Sequence, residues 1–386
     1  MALYLLASIA GLFPGLTFPF AVGWKSIHAF DLFFVACLVS TAVRGGFRPA
    51  DWKLMAAAAG VITAGGLALL AHPSPEGIRA VTAISYSMVV LVAISHVRLE
   101  VIGVSIERVI LWPLLIAIGV GWVIFVVENF TGIAISANRS PMLPASVHRL
   151  GGLSGGNSLI LFLGLAAPLV RAPGSILTII LPAAYATLSR GLLGVGVAVV
   201  LQARTLLTTP VHLRRALLFG SWAAIVVSVL FYFFAIIPVT GAGRATGRLS
   251  LEPGGYLTPH LAAVRMFQSS PLVGVGPAGF VDRFTAFTSR AERERLPSRN
   301  LTRCDPHSAI LGLGAEQGVI GLAAFGWLIY VIFVRLREIG DKALRSGAMA
   351  GLTGLLIGGH FVDWLALKGL WLWIGLLVAS RKFDTR

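Results

Sequence analysis

The chain has 386 residues, of which 56% are hydrophobic and only 12% are charged, about half the charged fraction of a typical soluble domain. This composition argues against a soluble globular protein, because ionised side chains are scarce mainly where a chain lies in a bilayer. The net charge of +15 favours an anionic lipid or an anionic substrate as partner. The sequence carries no nucleic-acid-binding motif, so we expect no nucleic-acid partner.

Apolar runs recur from one end of the chain to the other, and most are long enough to cross the bilayer as helices of roughly 17–25 residues. The runs are continuous, whereas the strands of a membrane β-barrel alternate apolar and polar residues. The sequence therefore predicts an all-α integral membrane protein with about twelve transmembrane helices. The predicted spans are 2–22, 27–43, 54–71, 79–96, 109–127, 157–170, 174–188, 191–207, 216–237, 308–334, 347–365 and 369–380.

The distribution of Lys and Arg over the short connections predicts that both termini are cytoplasmic. We divide the chain into helices one to nine over 1–237, a large outer loop over 238–307 and helices ten to twelve over 308–386. The outer loop carries nine arginines and five acidic residues. Long loops are exempt from the positive-inside rule, and arginine is well suited to bidentate binding of phosphate.

Short helices are expected inside the outer loop. Thr258-Pro259 is typical of a helix start, with a capping side chain followed by proline at the first helical position. Arg265 lies on this helix. The following segment, Ser270–Phe280, is rich in glycine and proline and should form a turn. Arg265 could serve only as a solvated or lipid-contacting side chain, or it could bind substrate.

Two further positions at the predicted outer face could carry chemistry. Arg190 separates two apolar runs, where a guanidinium is costly unless it has a partner or lines a cavity; the alternative is a snorkelling interfacial side chain. His307 stands at the start of the tenth predicted span and could act as a general base. The structural alternative is that Asp305 or Ser308 caps the helix and His307 merely sits at the interface.

Glu316 follows His307 by nine residues, which places it on the opposite face of one continuous helix, ~13 Å along the axis. We therefore expect Glu316 to fix helix packing through a buried hydrogen bond rather than to work directly with His307. His360 and Asp363 share a helix face at i, i+3 spacing, and we expect a structural contact between them, the alternative being a proton path. The sequence contains no P-loop, HExxH or CxxC pattern, and its outer loops are poor in carboxylates, so no metal and no cofactor is expected.

Four motifs follow one another over about residues 148–325, namely HRLGGLSGGNSLILFLGLAAPL, LSRGLLGVGVAV, AVRMFQSSPLVGVGPAGF and DPHSAILGLGAEQGVIGLAAF. Together, and in this order, they resemble the O-antigen ligase and O-antigen polymerase superfamily. The large late loop agrees with the layout of that family. Ser308 stands where asparagine is common.

The resemblance implies a metal-independent, inverting membrane glycosyltransferase whose donor is a glycan on undecaprenyl diphosphate. It implies that His307 deprotonates the acceptor hydroxyl, and that Arg190 and Arg265 bind the diphosphate. Arg149 and Asn157 are further candidates for contacts with sugar or phosphate. The protein would lie in the bacterial inner membrane with its active site facing the periplasm.

Three functional alternatives remain open at this point. A ligase would transfer the glycan to a lipid A–core sugar, which is the reading we favour, whereas a polymerase would transfer it to another lipid-linked glycan. A transporter or flippase predicts charges along a midplane path and internal repeats, and neither is visible in the sequence. A non-catalytic assembly partner would tolerate the loss of His307, Arg190 or Arg265.

Overall fold

The computed structural model describes most of the chain, with gaps. The predictions for 238–256 and 295–303, and the ends of several predicted spans, lie outside the described residues. The described residues are 1–13, 17–22, 25–131, 133, 135, 149–151, 155–170, 173–187, 189–203, 210–233, 257–294 and 304–381.

The described chain is helical apart from one short antiparallel hairpin, formed by β1 (Thr17–Val22) and β2 (Lys25–His28). A π-helical segment joins α8 to α9. The helices are α1 (Ala2–Leu12), α2 (Ala29–Val43), α3 (Trp52–Ala71), α4 (Pro75–Ser95), α5 (Leu99–Ile102), α6 (Ile106–Thr131), α7 (Gly156–Ala166), α8 (Pro173–Ser175), α9 (Leu181–Ala186), α10 (Leu192–Ala203), α11 (Val211–Phe233), α12 (Leu257–Ser269), α13 (Gly279–Arg283), α14 (Arg290–Arg293), α15 (Ala309–Arg337), α16 (Lys342–Gly358) and α17 (Lys368–Ala379).

Within the described part of the chain, five helices are long and apolar enough to cross a membrane, namely α3, α4, α6, α11 and α15. They coincide with five of the predicted spans, and their outward faces carry large apolar side chains such as Leu70, Phe130 and Phe219. Burial inside the protein cannot explain these exposed side chains, whereas lipid contact can. The protein is therefore a helical membrane protein.

The prediction of a single helix over 2–22 is wrong. Helix α1 ends at Leu12, and the chain continues into the short β1–β2 hairpin, while the other named elements of the described chain are helical, in agreement with the all-α prediction. The sequence supplies the reason: Pro14, Gly15 and Pro19 disfavour helix by lost amide donors and backbone entropy. Several other predicted spans correspond to apolar helices of fewer than eighteen residues: α2, α7, α10 and α17.

Glycines bring α7, α10 and α16 into close contact. A Cβ at Gly194 would meet the Gly354 carbonyl oxygen at 2.1 Å, and a Cβ at Gly351 would meet the Leu165 carbonyl oxygen at 2.3 Å. Such small-residue contacts let helix backbones pack directly in a membrane, where hydrophobic burial provides little drive for association. This packing places the start of α10 beside the end of α16.

Helix α15 is broken at Gly318, and the segment 271–276 packs against the break. Gly318 has φ 64° and ψ −159°, a conformation reserved almost entirely for glycine. A Cβ at Gly318 would meet the Leu272 carbonyl oxygen at 2.3 Å, and a Cβ at Gly274 would meet the Glu316 carbonyl carbon at 2.3 Å. Four backbone hydrogen bonds join the two segments: Val275 N to Ala315 O (2.8 Å), Gly276 N to Glu316 O (3.0 Å), Val319 N to Pro271 O (2.8 Å) and Ile320 N to Leu272 O (3.3 Å).

The other end of the bundle is closed by a buried ionic cluster. Asp51 caps α3 and is almost completely buried; one carboxylate oxygen lies 2.7 Å from Arg381 Nη1 and the other lies 2.8 Å from Arg335 Nη2. The backbone N–H of Asp51 donates to His96 Nε2 at 2.6 Å. This cluster ties the start of α3, the end of α15 and the end of α17 together.

Candidate functional site

The sequence motifs meet at the end of the bundle where α7, α10 and α15 begin. The Leu150 N–H donates to the Ala186 carbonyl at 2.9 Å, which joins the segment before α7 to the end of α9. The Ala309 N–H donates to the Gly359 carbonyl at 2.9 Å, which joins the start of α15 to the end of α16. These two backbone contacts bring segments that are far apart in sequence to one polar face.

Arg149, Asn157 and Ser189 form one hydrogen-bonded group on this face. Arg149 donates from Nε to the Thr187 carbonyl at 2.7 Å and from Nη2 to Asn157 Oδ1 at 2.7 Å. The Ser189 hydroxyl donates to the same Asn157 oxygen at 3.2 Å. Two residues singled out as substrate contacts therefore do lie together, and the next residue in the chain is Arg190.

His260 links Arg190 to the start of α15, and sequence reasoning missed it. Its side chain lies on the buried face of α12 and is only 8% exposed. Burial lowers its pKa to about 4, and the neighbouring Arg190, His307 and His360 contribute to the same shift. His260 is therefore neutral at physiological pH, and Arg190 supplies a fixed positive charge beside it.

Asp305 and His307 form a close pair in the turn before α15. His307 Nδ1 lies 2.5 Å from Asp305 Oδ1, and the His307 backbone N–H donates to the same oxygen at 2.7 Å. The pKa of Asp305 lies below its ordinary value. Desolvation of the half-exposed side chain raises this pKa, and the hydrogen bonds and charge of His307 lower it by more. Ser308 caps α15 by accepting the Leu311 N–H at 3.2 Å, as one sequence alternative predicted.

Arg265 lies on the exposed side of α12 and is engaged by Glu292. Its two terminal nitrogens lie 3.0 Å and 2.8 Å from the two carboxylate oxygens, and Nη1 also donates to the Phe287 carbonyl at 2.9 Å. The hydrogen bond from Arg265 is the main reason that the pKa of Glu292 falls to about 2. On a helix, the five residues from His260 to Arg265 correspond to a rotation of about 140°, so the two side chains leave α12 in different directions.

Glu316 supports the outer segment from within α15. Its carboxylate accepts the Phe280 N–H at 3.3 Å, at the point where the 271–276 segment packs on the helix break. The same stretch holds Ala278 in the left-handed region with φ 59°. Glu316 therefore holds the segment that follows α12 through a partly buried hydrogen bond.

The structure thus brings Arg149, Asn157, Arg190 and His307 to one end of the bundle and leaves Arg265 tied to Glu292. The sequence offered little indication that His260 belongs to the site. His260 and Ala263 share the buried face of the amphipathic helix α12, and a histidine in such a position is commonly a core side chain. Among the described residues, no group of three His, Cys, Asp or Glu side chains could hold a metal ion. Comparison with protein-family models and with curated proteins finds no match to this chain.

Proposed function

We propose that this protein is a membrane glycosyltransferase of the O-antigen ligase type. It would move a glycan as one block from undecaprenyl diphosphate to a hydroxyl of a lipid A–core sugar. The observation that carries the proposal is the Asp305–His307 pair at 2.5 Å, which stands on the same face as Arg190 and the Arg149–Asn157 group. A base beside fixed guanidinium groups suits an alcohol nucleophile and a diphosphate leaving group.

In the proposed reaction, the Nε2 atom of His307 takes the proton of the acceptor hydroxyl. The acceptor oxygen attacks the anomeric carbon of the first donor sugar from the face opposite the diphosphate. The bond from that carbon to the phosphate oxygen breaks, and its electron pair leaves with undecaprenyl diphosphate. The configuration at the anomeric carbon is therefore inverted, and the imidazolium later releases its proton to water.

Arg190 would bind the diphosphate, because it lies close enough to His260 for its charge to act on that ring, and His307 acts on the same ring. Fixed cations near the phosphate oxygens stabilise the charge that develops on the leaving group, so the scheme needs no metal ion. Arg149 and Asn157 would hold the adjoining phosphate or sugar. Arg265 could contribute to the diphosphate only after leaving Glu292, so its role in the proposal includes a change of partner.

The proposed setting is the bacterial inner membrane with about twelve crossings in total. Both termini would be cytoplasmic, and the 238–307 loop would be periplasmic together with the site. The lipid tail of the donor would lie between helices, with its diphosphate at the membrane surface. A polymerase of the same kind would use identical chemistry with a second lipid-linked glycan as acceptor.

The test is glycan transfer by purified protein in lipid nanodiscs. Undecaprenyl-diphosphate-linked oligosaccharide is supplied with and without lipid A–core, and His307→Ala is compared with His212→Ala. His212 is an exposed histidine in the first turn of α11, so its replacement controls for the loss of an imidazole. Transfer that requires the acceptor, survives EDTA and is lost only in His307→Ala is the expected result.

Other results assign the protein differently. Lengthening of the donor glycan without lipid A–core would identify a polymerase. Inhibition by EDTA that Mg²⁺ reverses would contradict the metal-free scheme. If no product forms with or without lipid A–core, and the donor instead crosses the membrane of sealed vesicles, the protein is a transporter.

A further inference from the structure

Asp305 and His307 are held in one rigid turn. The Oδ1 atom of Asp305 accepts a hydrogen bond from the backbone N–H of His307 at 2.7 Å. The same oxygen lies 2.5 Å from Nδ1 of the His307 ring. His307 itself has φ 47°, in the left-handed region that non-glycine residues rarely occupy. A non-glycine residue in this conformation is retained only where its surroundings determine it, and such residues cluster at functional sites.

The residues before, between and after Asp305 and His307 are fixed by packing. Cys304 and Ser308 are both buried. Pro306 has a restricted φ, and its ring lies so close to α15 that a Cβ at Gly312 would meet Pro306 Cγ at 2.8 Å. The turn therefore cannot rotate freely, and the His307 ring keeps one orientation relative to the Asp305 carboxylate.

This orientation selects one form of the neutral imidazole. A carboxylate can only accept hydrogen bonds, so the ring nitrogen that faces it must carry the proton. With the proton on Nδ1, the basic lone pair of the neutral ring is on Nε2. The same carboxylate stabilises the imidazolium that forms when Nε2 takes up a second proton, as in the Ser-His-Asp arrangement.

We propose that Asp305 is the positioning residue of the His307 base: it holds the ring with Nδ1 protonated and stabilises the cation formed during transfer. This inference rests on the proposed function for its catalytic consequence, but the tautomer itself can be observed without any turnover. Asp305 remains ionised throughout, and the proton moves from the acceptor oxygen to Nε2 of His307.

Two variants separate the charge of Asp305 from its hydrogen bonds. Asp305→Asn removes the charge, while its side-chain oxygen can still accept from the His307 backbone and from Nδ1. Asp305→Ala removes both. Glu294→Gln is the matched control, because Glu294 is an exposed carboxylate of the same outer segment that pairs with an exposed Arg290.

The first measurement is the ¹⁵N NMR spectrum of the full-length protein labelled at histidine, with His307 assigned by His307→Ala. We expect the Nδ1-protonated form at His307 in the wild type, in Asp305→Asn and in Glu294→Gln, and a mixture of forms in Asp305→Ala. A predominantly Nε2-protonated wild-type ring would overturn the inference, whatever the activity of the protein.

The second measurement is the steady-state rate of glycan transfer in nanodiscs. Asp305→Asn should lower kcat by about 10²-fold or more, in the range of a general base contribution, with the KM for the donor unchanged and the thermal stability retained. Asp305→Glu should recover part of the rate. An Asp305→Asn protein with wild-type kcat would refute the positioning role, whereas an inactive wild type with the expected tautomer would refute the proposed function alone.

Discussion

The replacement of Gly318 by alanine tests how the outer segment is joined to α15. Gly318 adopts φ 64° and ψ −159°, and an alanine there would retain backbone strain of about 1–3 kcal/mol. Its Cβ would also stand 2.3 Å from the Leu272 carbonyl oxygen and 2.6 Å from the Val273 nitrogen. Neither contact can be relieved by turning a side chain, because both neighbours are backbone atoms.

The alternative open to the variant is to move the 271–276 segment away from the helix. That movement would break the four backbone hydrogen bonds between the segments, each with a net value of about 0.5–1.5 kcal/mol. The four bonds together amount to about 2–6 kcal/mol, so we expect Gly318→Ala to lower the free energy of unfolding by about 2 kcal/mol or more. With an unfolding entropy of about 0.8 kcal/mol/K for a chain of this length, the melting temperature falls by about 2.5 °C or more.

Gly326 provides the matched control in the same helix. Among the described residues, a Cβ at Gly326 would meet no heavy atom within 4 Å beyond its chain neighbours and the nearby backbone of its own helix, and the φ of Gly326 is not positive. Gly326→Ala should therefore be neutral or stabilising by about 0.5–1 kcal/mol. The assay is thermal unfolding of both variants in the same detergent. Equal melting temperatures for Gly318→Ala and Gly326→Ala would refute the backbone contact at the break.

Two further predictions concern charged groups at opposite ends of the protein. The pKa of Glu292 is lowered to about 2, so its ion pair with Arg265 stabilises the α12–α14 region fully above about pH 4.5. That stabilisation is lost as the pH falls towards about 2. Relative to Glu292→Gln, which lacks the ion pair at every pH, the wild type should resist peptic cleavage between α12 and α14 near pH 4.5 and lose this advantage as the pH falls towards about 2; parallel profiles for the two proteins would contradict this. At the other end, Asp51→Ala leaves two arginines without their shared buried carboxylate and should destabilise the protein by about 3–5 kcal/mol. An unfolding midpoint like that of Glu294→Gln would show that the cluster is not required.

Part of the fold could be predicted because its causes are local. Length and continuous apolarity identified the five long helices, since both properties are read directly from the chain. The helix expected at Thr258-Pro259 is confirmed as α12, although it begins at Leu257 and so includes Thr258, which was expected to precede it as a cap. The turn expected over Ser270–Phe280 is confirmed up to the start of α13. The Ser308 cap is likewise a contact over three residues.

The candidate site was only partly accessible to the same reasoning. Arg149 and Asn157 were singled out, and eight residues separate them in sequence while 2.7 Å separates their side chains. The sequence suggested Asp305 as a possible helix cap, whereas in the structure its carboxylate contacts the ring and the backbone N–H of His307. The pairing of Arg265 with Glu292 joins residues 27 positions apart, and no local pattern specifies such a partner.

The sequence by itself determined that the chain is apolar enough for a membrane, where its longest helices run, and which residues have chemistry suited to a diphosphate and a hydroxyl. The tertiary structure decided which of these residues meet. It placed His260 beside Arg190, directed Arg265 to the other side of α12 and fitted the 271–276 segment into the break at Gly318. The physical reason is that helix formation depends on neighbours within about four residues, whereas side-chain partners depend on how distant helices pack.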